Sequence, residues 1–201
     1  MPHDDSARES VHKSNPDAER VAAPDVSSGA ASDAIEEVGA AVVARFPGSV
    51  SRDSHGQAVV YVDRAAWHDV ALHLRDEERF TQCLDVTVVD HLRDEMRLDV
   101  PGVTPERFEV VGNFLSHPRN LRIRTICEVP ADDTTVASLV DVYAGVDFAE
   151  REAYDLFGIT FEGHPDLTRI LMPDDWVGHP LRKDDVPSRI PVTFKEDPAA
   201  R

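Results

Sequence analysis

Residues Glu150–Asp184 read EREAYDLFGITFEGHPDLTRILMPDDWVGHPLRKD. The first part of this stretch is predicted to be a helix, because Asp147 and Glu150 have the spacing of a capping box and Gly158 can end the helix in a left-handed conformation. After Gly158, prolines and glycines interrupt regular structure repeatedly, although large apolar residues continue to Leu181. A segment this apolar and this irregular requires a surface to lie on, which belongs either to its own domain or to another protein.

The charged residues of the predicted helix have two interpretations. They form a general acid–base set, or they pair with basic groups of this chain or of a neighbouring protein. Arg151 and Asp155 are also four residues apart, so they can pair along the helix, a contact worth about 0.3 kcal/mol. We favour pairing over catalysis, because these charges are mixed into a helix with little free surface.

A metal site is the alternative interpretation of the irregular part. Its histidines and aspartates supply imidazoles and carboxylates, a sufficient set for an open metal site. Such a site would make the protein a stand-alone metal-dependent hydrolase that uses His164 and His179. The donors are scattered through a segment broken by proline and glycine, however, and each histidine precedes a proline, a common turn context. The complete candidate set is His164, His179, Asp166, Asp174 and Asp175.

The composition argues against several classes of function. The chain has 201 residues and a formal net charge of −17, whereas a nucleic-acid partner requires a basic face. Two cysteines, Cys83 and Cys127, are too few for a disulfide framework or an iron–sulfur cluster. No glycine-rich nucleotide motif is present, so we expect this chain to bind no cofactor. No apolar run reaches the ~18 residues of a membrane helix and the N-terminus has no signal-peptide pattern, so we expect membrane contact only through other chains.

Three regions are predicted. Residues 1–33 contain no aromatic residue, Leu or Ile, which is typical of a disordered tail, and here the tail is acidic. Residues 34–162 are predicted to form an α+β domain. Residues 163–201 are predicted to form an extended arm that docks onto partners.

The domain is predicted to contain a mostly antiparallel sheet of about four to five strands with helices packed on one face. The clearest strand is 121–129, whose alternation places Cys127 in the core. Asp90 and His91 follow another apolar strand, and we interpret them as a hydrogen-bonded strand end in preference to a catalytic pair. The predicted helices begin at Asp33, Arg64, Val136 and Asp147, and the predicted strands are 57–62, 84–89, 107–115 and 121–129.

The opening stretch also resembles a known family. Glu150-Arg151-Glu152, then Asp155, Leu156-Phe157 and His164, is similar to the signature of the C subunit of the proton-pumping NADH:quinone oxidoreductase, respiratory complex I. The similarity continues through Gly163–Leu167, Arg169–Pro173 and Gly178–Asp184. Several rare dipeptides recur in fixed order, which makes the resemblance specific, and this family has the α+β type of fold that the pattern predicts.

The resemblance implies a non-catalytic structural component that braces the quinone-site D subunit and the cluster-bearing B subunit on the cytoplasmic side of the cell membrane. NAD, flavin, iron–sulfur clusters and quinone would then bind to partner subunits. Membrane-bound hydrogenases use similar subunits, so an equivalent role in such a complex is the alternative. The residues expected to hold the interface are Glu150, Arg151, Glu152, Asp155, His164, Arg169, His179, Pro180, Leu181, Arg182 and Lys183.

Overall fold

A five-stranded sheet organises the domain in the computed structural model, which describes residues 28–185. Its strands are β1 (Val50–Asp53), β2 (Ala58–Val62), β3 (Gln82–Asp90), β4 (Phe108–Ser116) and β5 (Leu121–Val129), in the spatial order β1-β2-β5-β4-β3. Only the β2–β5 pairing in this sheet is parallel. The predicted α+β class and the mostly antiparallel sheet are therefore confirmed.

Three helices and a second, smaller sheet complete the described part of the chain. The helices are α1 (Ser28–Arg45), α2 (Trp67–Asp76) and α3 (Asp147–Phe157), with single 3-10 turns at Arg64–Ala66 and Ala144–Val146. The smaller sheet pairs β6 (Thr135–Ala137) with β7 (Thr160–Glu162) in parallel. Within residues 28–185, no helix is long and apolar enough to cross a membrane.

The main core lies between one face of the large sheet and the helices. Its largest fully buried side chains include Trp67 of α2 and Phe108 and Phe114 of β4. The predicted alternation along β5 is confirmed, since Ile123 and Cys127 point into this core. The opposite face carries only a small apolar cluster, formed by Val59, Val111 and Ile126 with Tyr61 packed against them.

The predicted helix from Val136 to Tyr143 is wrong. This segment begins with β6 and then turns, and its apolar side chains Leu139 and Val142 are buried in the main core. The backbone N–H of Leu139 donates to the Glu150 carboxylate instead of to a helical carbonyl. The helical spacing of these apolar residues therefore reflects how they pack into the core. It does not produce a helix, because hydrogen bonds to other parts of the fold replace the helical ones.

The ends of several elements also differ from the predictions. Helix α1 begins at Ser28, five residues before the predicted start at Asp33. The short edge strand β1 was not predicted, because it has only four residues and a single apolar one. Residues 1–27 and 186–201 lie outside the described residues, and with them most of the predicted acidic tail and the end of the predicted arm.

Candidate docking site around helix α3

The C-terminal end of helix α3 is covered by the segment 163–185, which we call the C-terminal arm. The last carbonyls of a helix have no partner within the helix, and here the C-terminal arm supplies the donors. Asp155 O accepts from the ring Nδ1 of His179 at 3.0 Å, and Leu156 O accepts from the backbone N of Leu181 at 3.0 Å. Arg182 Nε donates to Phe157 O, which places a cation where the helix dipole favours one.

The carboxylate of Asp155 is the central anchor of the C-terminal arm. It is completely buried, and its Oδ2 accepts from the backbone N atoms of Ile170, Leu171 and Met172 at 3.0, 2.7 and 2.8 Å. Its Oδ1 accepts from Arg169 Nη1 at 2.5 Å. Burial opposes ionisation of Asp155, but these donors outweigh it and lower the pKa of the carboxyl group. Three successive N–H groups around one anion form a backbone nest.

Gly158 is required at the junction between α3 and the strand that follows. It has φ 72°, the left-handed conformation that was predicted to end the helix. A Cβ at this position would lie 2.5 Å from His179 Nε2 and 2.6 Å from Arg182 Nη2. The glycine therefore ends the helix and also lets the C-terminal arm approach it closely.

A second buried carboxylate, Asp90, anchors the far end of the C-terminal arm. It accepts from Arg107 Nε and Nη2 at 3.1 and 2.9 Å and from the backbone N of Lys183 at 2.8 Å. Arg107 also pairs with Asp184 of the C-terminal arm. Burial works against the charge of Asp90, but the bonds from Arg107, Lys183 and Leu92 prevail and lower its pKa.

The sequence interpretation of Asp90 as a hydrogen-bonded strand end agrees with this geometry. Its role in holding the C-terminal arm was missed, because Lys183 lies 93 positions further along the chain. Arg107 was missed as well, since nothing in its neighbourhood distinguishes it from any other surface arginine.

Glu150 faces inward and is completely buried. Its carboxylate accepts from Ser138 Oγ at 2.6 Å and from the backbone N of Leu139 at 2.7 Å. Burial raises the pKa of Glu150, and these two neutral donors offset that effect only in part. The expected capping box is absent, because the cap position of α3 is Val146 and Glu150 binds the segment before the helix.

Arg151 and Glu152 also differ in what they contact. Arg151 donates to Thr168 O at 3.2 Å and to Thr168 Oγ1 at 2.9 Å, so it binds the C-terminal arm. The suggested pair of Arg151 with Asp155 is replaced by these bonds and by the Arg169–Asp155 ion pair. Glu152 is exposed.

The two histidines of the proposed metal site lie at opposite ends of helix α3. His164 binds the first turn, with Nε2 3.3 Å from Asp147 O, and its Nδ1 accepts from the backbone N of Asp166 at 3.1 Å. His179 binds Asp155 O at the other end, about 12 Å further along a helix of this rise. Residues 28–185 contain no group of three His, Cys, Asp or Glu side chains arranged to hold a metal ion. These histidines therefore fasten the C-terminal arm and do not share one ligand set.

The C-terminal arm leaves several large apolar side chains in solvent even though its backbone is fixed. Leu171, Val177 and Leu181 are 56%, 92% and 47% exposed. Pro180 is half-buried, and the side chain of Lys183 is exposed. The buried charges thus hold the C-terminal arm to its own domain, while these three apolar residues face outward.

The fold and this site define a class of protein: a small α+β domain that presents a structured C-terminal arm held by buried carboxylates. Residues 60–189 match the family model of the 30 kDa subunit of respiratory-chain NADH dehydrogenase. The chain belongs to this family, and the resemblance to the C subunit of complex I is confirmed.

Curated relatives agree with that assignment. The NADH-quinone oxidoreductase C subunit of Saccharopolyspora erythraea is 44% identical over 142 residues, which cover 70% of this chain and 53% of the relative. The protein of the same name from Rhodopseudomonas palustris is 44% identical over 154 residues, covering 75% of this chain and 72% of that protein. The chain spans about half the length of several of the curated relatives that it matches, 53% in the first case.

Solved structures have the same fold. The trypsin-resistant fragment (1-134) of Nqo5 is 31% identical, with a TM-score of 0.57, and the match covers 67% of this chain and 99% of that one. A chain of the membrane-bound sulfane sulfur reductase, an archaeal respiratory membrane complex, has a TM-score of 0.57 at 21% identity over 81% of this chain and 95% of its own. At that identity the second likeness concerns the fold alone.

Proposed function

We propose that this protein is a non-catalytic structural component of a proton-translocating NADH:quinone oxidoreductase. It braces the quinone-site D subunit and the cluster-bearing B subunit on the cytoplasmic side of the cell membrane, and it reaches the membrane only through them. Electrons pass from NADH to quinone through cofactors on the partner subunits, and nucleic acid takes no part. Membership of the 30 kDa subunit family supports this proposal.

The C-terminal arm carries the proposal. Several of its backbone N–H groups and its arginines Arg169 and Arg182 are used internally, on Asp155, on Asp90 and on the end of α3. Its exposed side chains include three large apolar residues, Leu171, Val177 and Leu181, and Val177 is 92% exposed. A rigid segment that holds apolar side chains in water is typical of a protein-binding surface, and it loses little conformational entropy when a partner covers it.

The hydrogen bonding of the buried aspartates and the pKa of the cysteines favour a structural role over catalysis. Asp155 and Asp90 are each bound by four or more donors, so neither is free to exchange a proton with a substrate. Burial raises the pKa of the Cys83 and Cys127 thiols to about 12. Each thiol is therefore harder to deprotonate than an exposed cysteine, which disfavours both a nucleophilic and a cluster-binding role. This agrees with our proposal that NAD, flavin, iron–sulfur clusters and quinone reside on partners.

The test is to place a charge on the exposed surface of the C-terminal arm without disturbing its anchors. Val177→Asp in the full chain should lower the amount of this protein that co-purifies with the B and D subunits about tenfold or more, because a charge would be buried in an apolar contact. Membrane NADH:quinone activity should fall in parallel. The thermal midpoint of the isolated chain should stay unchanged, because Val177 is exposed.

Leu72→Asp is the control on another face, since Leu72 is an apolar residue of helix α2 that is 36% exposed. The thermal midpoint of this variant is measured alongside, because more of the Leu72 side chain is buried than that of Val177. The substitution should leave assembly intact. Full co-purification and activity of the Val177→Asp protein would contradict the proposed docking role. Truncation after Thr168 is a poorer test, because together with the exposed surface it removes Arg169 and the three N–H donors that bind Asp155. We therefore expect truncation to destabilise the domain itself, so a loss of assembly would not identify the docking surface.

A further inference from the structure

A second exposed apolar surface lies beside β3, outside the C-terminal arm. Four large apolar side chains are exposed over ten residues: Val89 at the end of β3, then Leu92, Met96 and Leu98 in the connection to β4. Met96 is 90% exposed and Leu98 is 73% exposed. We call these four residues the β3–β4 patch. Four exposed large apolar side chains within ten residues of the chain are unusual on a monomer that has no partner.

Ion pairs hold the β3–β4 patch in a defined shape. Arg97 Nη2 contacts Glu109 Oε1 at 2.7 Å and also pairs with Glu128, and Arg97 Nη1 donates to Glu106 O. Glu109 and Glu128 lie opposite each other on β4 and β5, so Arg97 also offsets their repulsion. These bonds hold the connection at Arg97, the residue between the two exposed residues Met96 and Leu98.

The turn before Met96 is fixed as well. Asp94 Oδ2 is 3.0 Å from His91 Nδ1, and Asp94 Oδ1 accepts from the backbone N of Met96 at 3.1 Å. Ionic and polar contacts therefore order a loop whose apolar side chains remain in water. This arrangement is expected of a prepared contact surface, because the loop is ordered before a partner arrives.

The β3–β4 patch and the C-terminal arm meet at one carboxylate. Asp90 Oδ1 accepts from the backbone N of Leu92 at 3.0 Å, and its Oδ2 accepts from the backbone N of Lys183 at 2.8 Å. Arg107 joins Asp90 to Asp184 on the same side. The backbone of the β3–β4 patch at Leu92 and the backbone of the C-terminal arm at Lys183 are therefore held next to each other by the same side chain.

The charge around the β3–β4 patch defines the chemistry of its partner. Between Leu92 and Asp99, the exposed charged residues are Arg93, Asp94, Glu95 and Asp99, three acids and one base. The other arginine of this segment, Arg97, is committed to the internal pairs with Glu109 and Glu128. A complementary surface is therefore apolar at its centre and carries lysine or arginine at its rim.

We propose that the β3–β4 patch is a second docking surface, continuous with the C-terminal arm, for a partner protein with an apolar patch bordered by basic residues. This inference rests on the proposed function and extends it to residues that the family signature does not include. The patch contributes apolar contact through Met96 and Leu98, and Glu95 and Asp99 orient the partner by charge.

The experiment uses the full chain expressed with its partner subunits, and it measures how much of this protein is retained on membranes after a salt wash. Met96→Asp combined with Leu98→Asp should reduce retention about tenfold, and Met96→Leu should preserve it, because leucine keeps the apolar contact. Glu95→Lys combined with Asp99→Lys should reduce retention less, and mainly at low salt, where charge complementarity acts over a longer range. This second pair keeps the proposal testable if the first pair lowers the thermal midpoint of the isolated chain.

The outcomes separate this proposal from the docking role of the C-terminal arm. Full retention of both double variants, with loss of the Val177→Asp protein, would overturn the β3–β4 patch and leave the proposed function standing. Full retention of all three proteins would overturn both. Light scattering of the isolated chain tests whether a second copy of this chain covers the β3–β4 patch. If the chain forms a dimer that Met96→Asp abolishes, the proposal that the partner is a different protein would be overturned.

Discussion

Two buried carboxylates on helix α3, five residues apart, behave in opposite ways. Glu150 and Asp155 are both completely buried. The pKa of Glu150 is raised by burial, with two neutral donors offsetting it only in part, whereas the donors around Asp155 outweigh burial and lower its pKa. Asp155 receives three backbone N–H groups and a guanidinium. The comparison shows that the donors around a buried acid, and not its burial alone, decide whether it carries charge.

This difference has a structural consequence. The donors to Glu150 come from residues 138 and 139, just before α3, and they fix a turn within the domain. The donors to Asp155 come from the C-terminal arm, so the charge of Asp155 is tied to the position of that arm. We expect loss of charge to matter greatly at Asp155 and little at Glu150.

The largest expected effect is that of Asp155→Asn. The substitution keeps the size of the side chain but removes its charge and turns one of its two acceptors into a donor, which then faces either Arg169 or the three N–H groups. We expect the free energy of unfolding to fall by about 3 kcal/mol, the magnitude for breaking one partner of a buried ion pair. Urea unfolding of the isolated chain measures it. A loss within about 0.5 kcal/mol, the level of an ordinary surface substitution, would show that the C-terminal arm is not held by this charge.

Gly158→Ala should have the next largest effect, because it disturbs the same anchor from the helix end. Alanine at φ 72° costs about 1–2 kcal/mol, and its Cβ would displace His179 and Arg182 from the carbonyls that they bind. We expect a total loss of about 2 kcal/mol and faster limited proteolysis within the C-terminal arm. Gly145→Ala is the control, since a Cβ at Gly145 meets no atom within 4 Å.

Glu150→Gln should have the smallest effect. Glutamine keeps an oxygen that accepts from Ser138 or Leu139, and it removes a charge that burial disfavours. We expect the free energy of unfolding at neutral pH to change by less than about 1 kcal/mol. A loss as large as that of Asp155→Asn would contradict the distinction between the two acids.

The same two residues should give opposite pH dependences of stability. The raised pKa of Glu150 means that the folded protein binds the proton more tightly, so its contribution falls as pH rises from the ordinary value of 4.5 through the folded pKa. The lowered pKa of Asp155 means that its contribution is present above the ordinary value of 3.8 and is lost as pH falls through the folded pKa. Urea unfolding across this range should lose the first slope in Glu150→Gln and the second in Asp155→Asn.

Much of the fold could be predicted from the sequence. Helix α2, strand β5 and the stop at Gly158 follow from local periodicity and one glycine, and all three are present. The segment after Thr135 was predicted wrongly, because apolar residues that pack into a core imitate helical spacing and their hydrogen-bond partners lie on other elements.

Less of the site could be predicted. The sequence singled out Asp155, Arg169, His179 and Arg182 as residues that bind something, but their contacts within the chain were not predictable. Neither Arg107 nor the β3–β4 patch carried any local signal, since a single arginine and a few scattered apolar residues are common in any loop.

The sequence by itself determined the family, the fold class and the stretch on which the C-terminal arm depends. Those properties are carried by residues near one another in the chain, where spacing and residue type are sufficient. Only the tertiary structure decided which side of that stretch faces inward. Arg182 points to the end of α3 and Val177 points to solvent, although they are five residues apart. The physical reason is that a buried charge requires specific donors, and these are brought to Asp155 and Asp90 from distant positions only when the chain has folded.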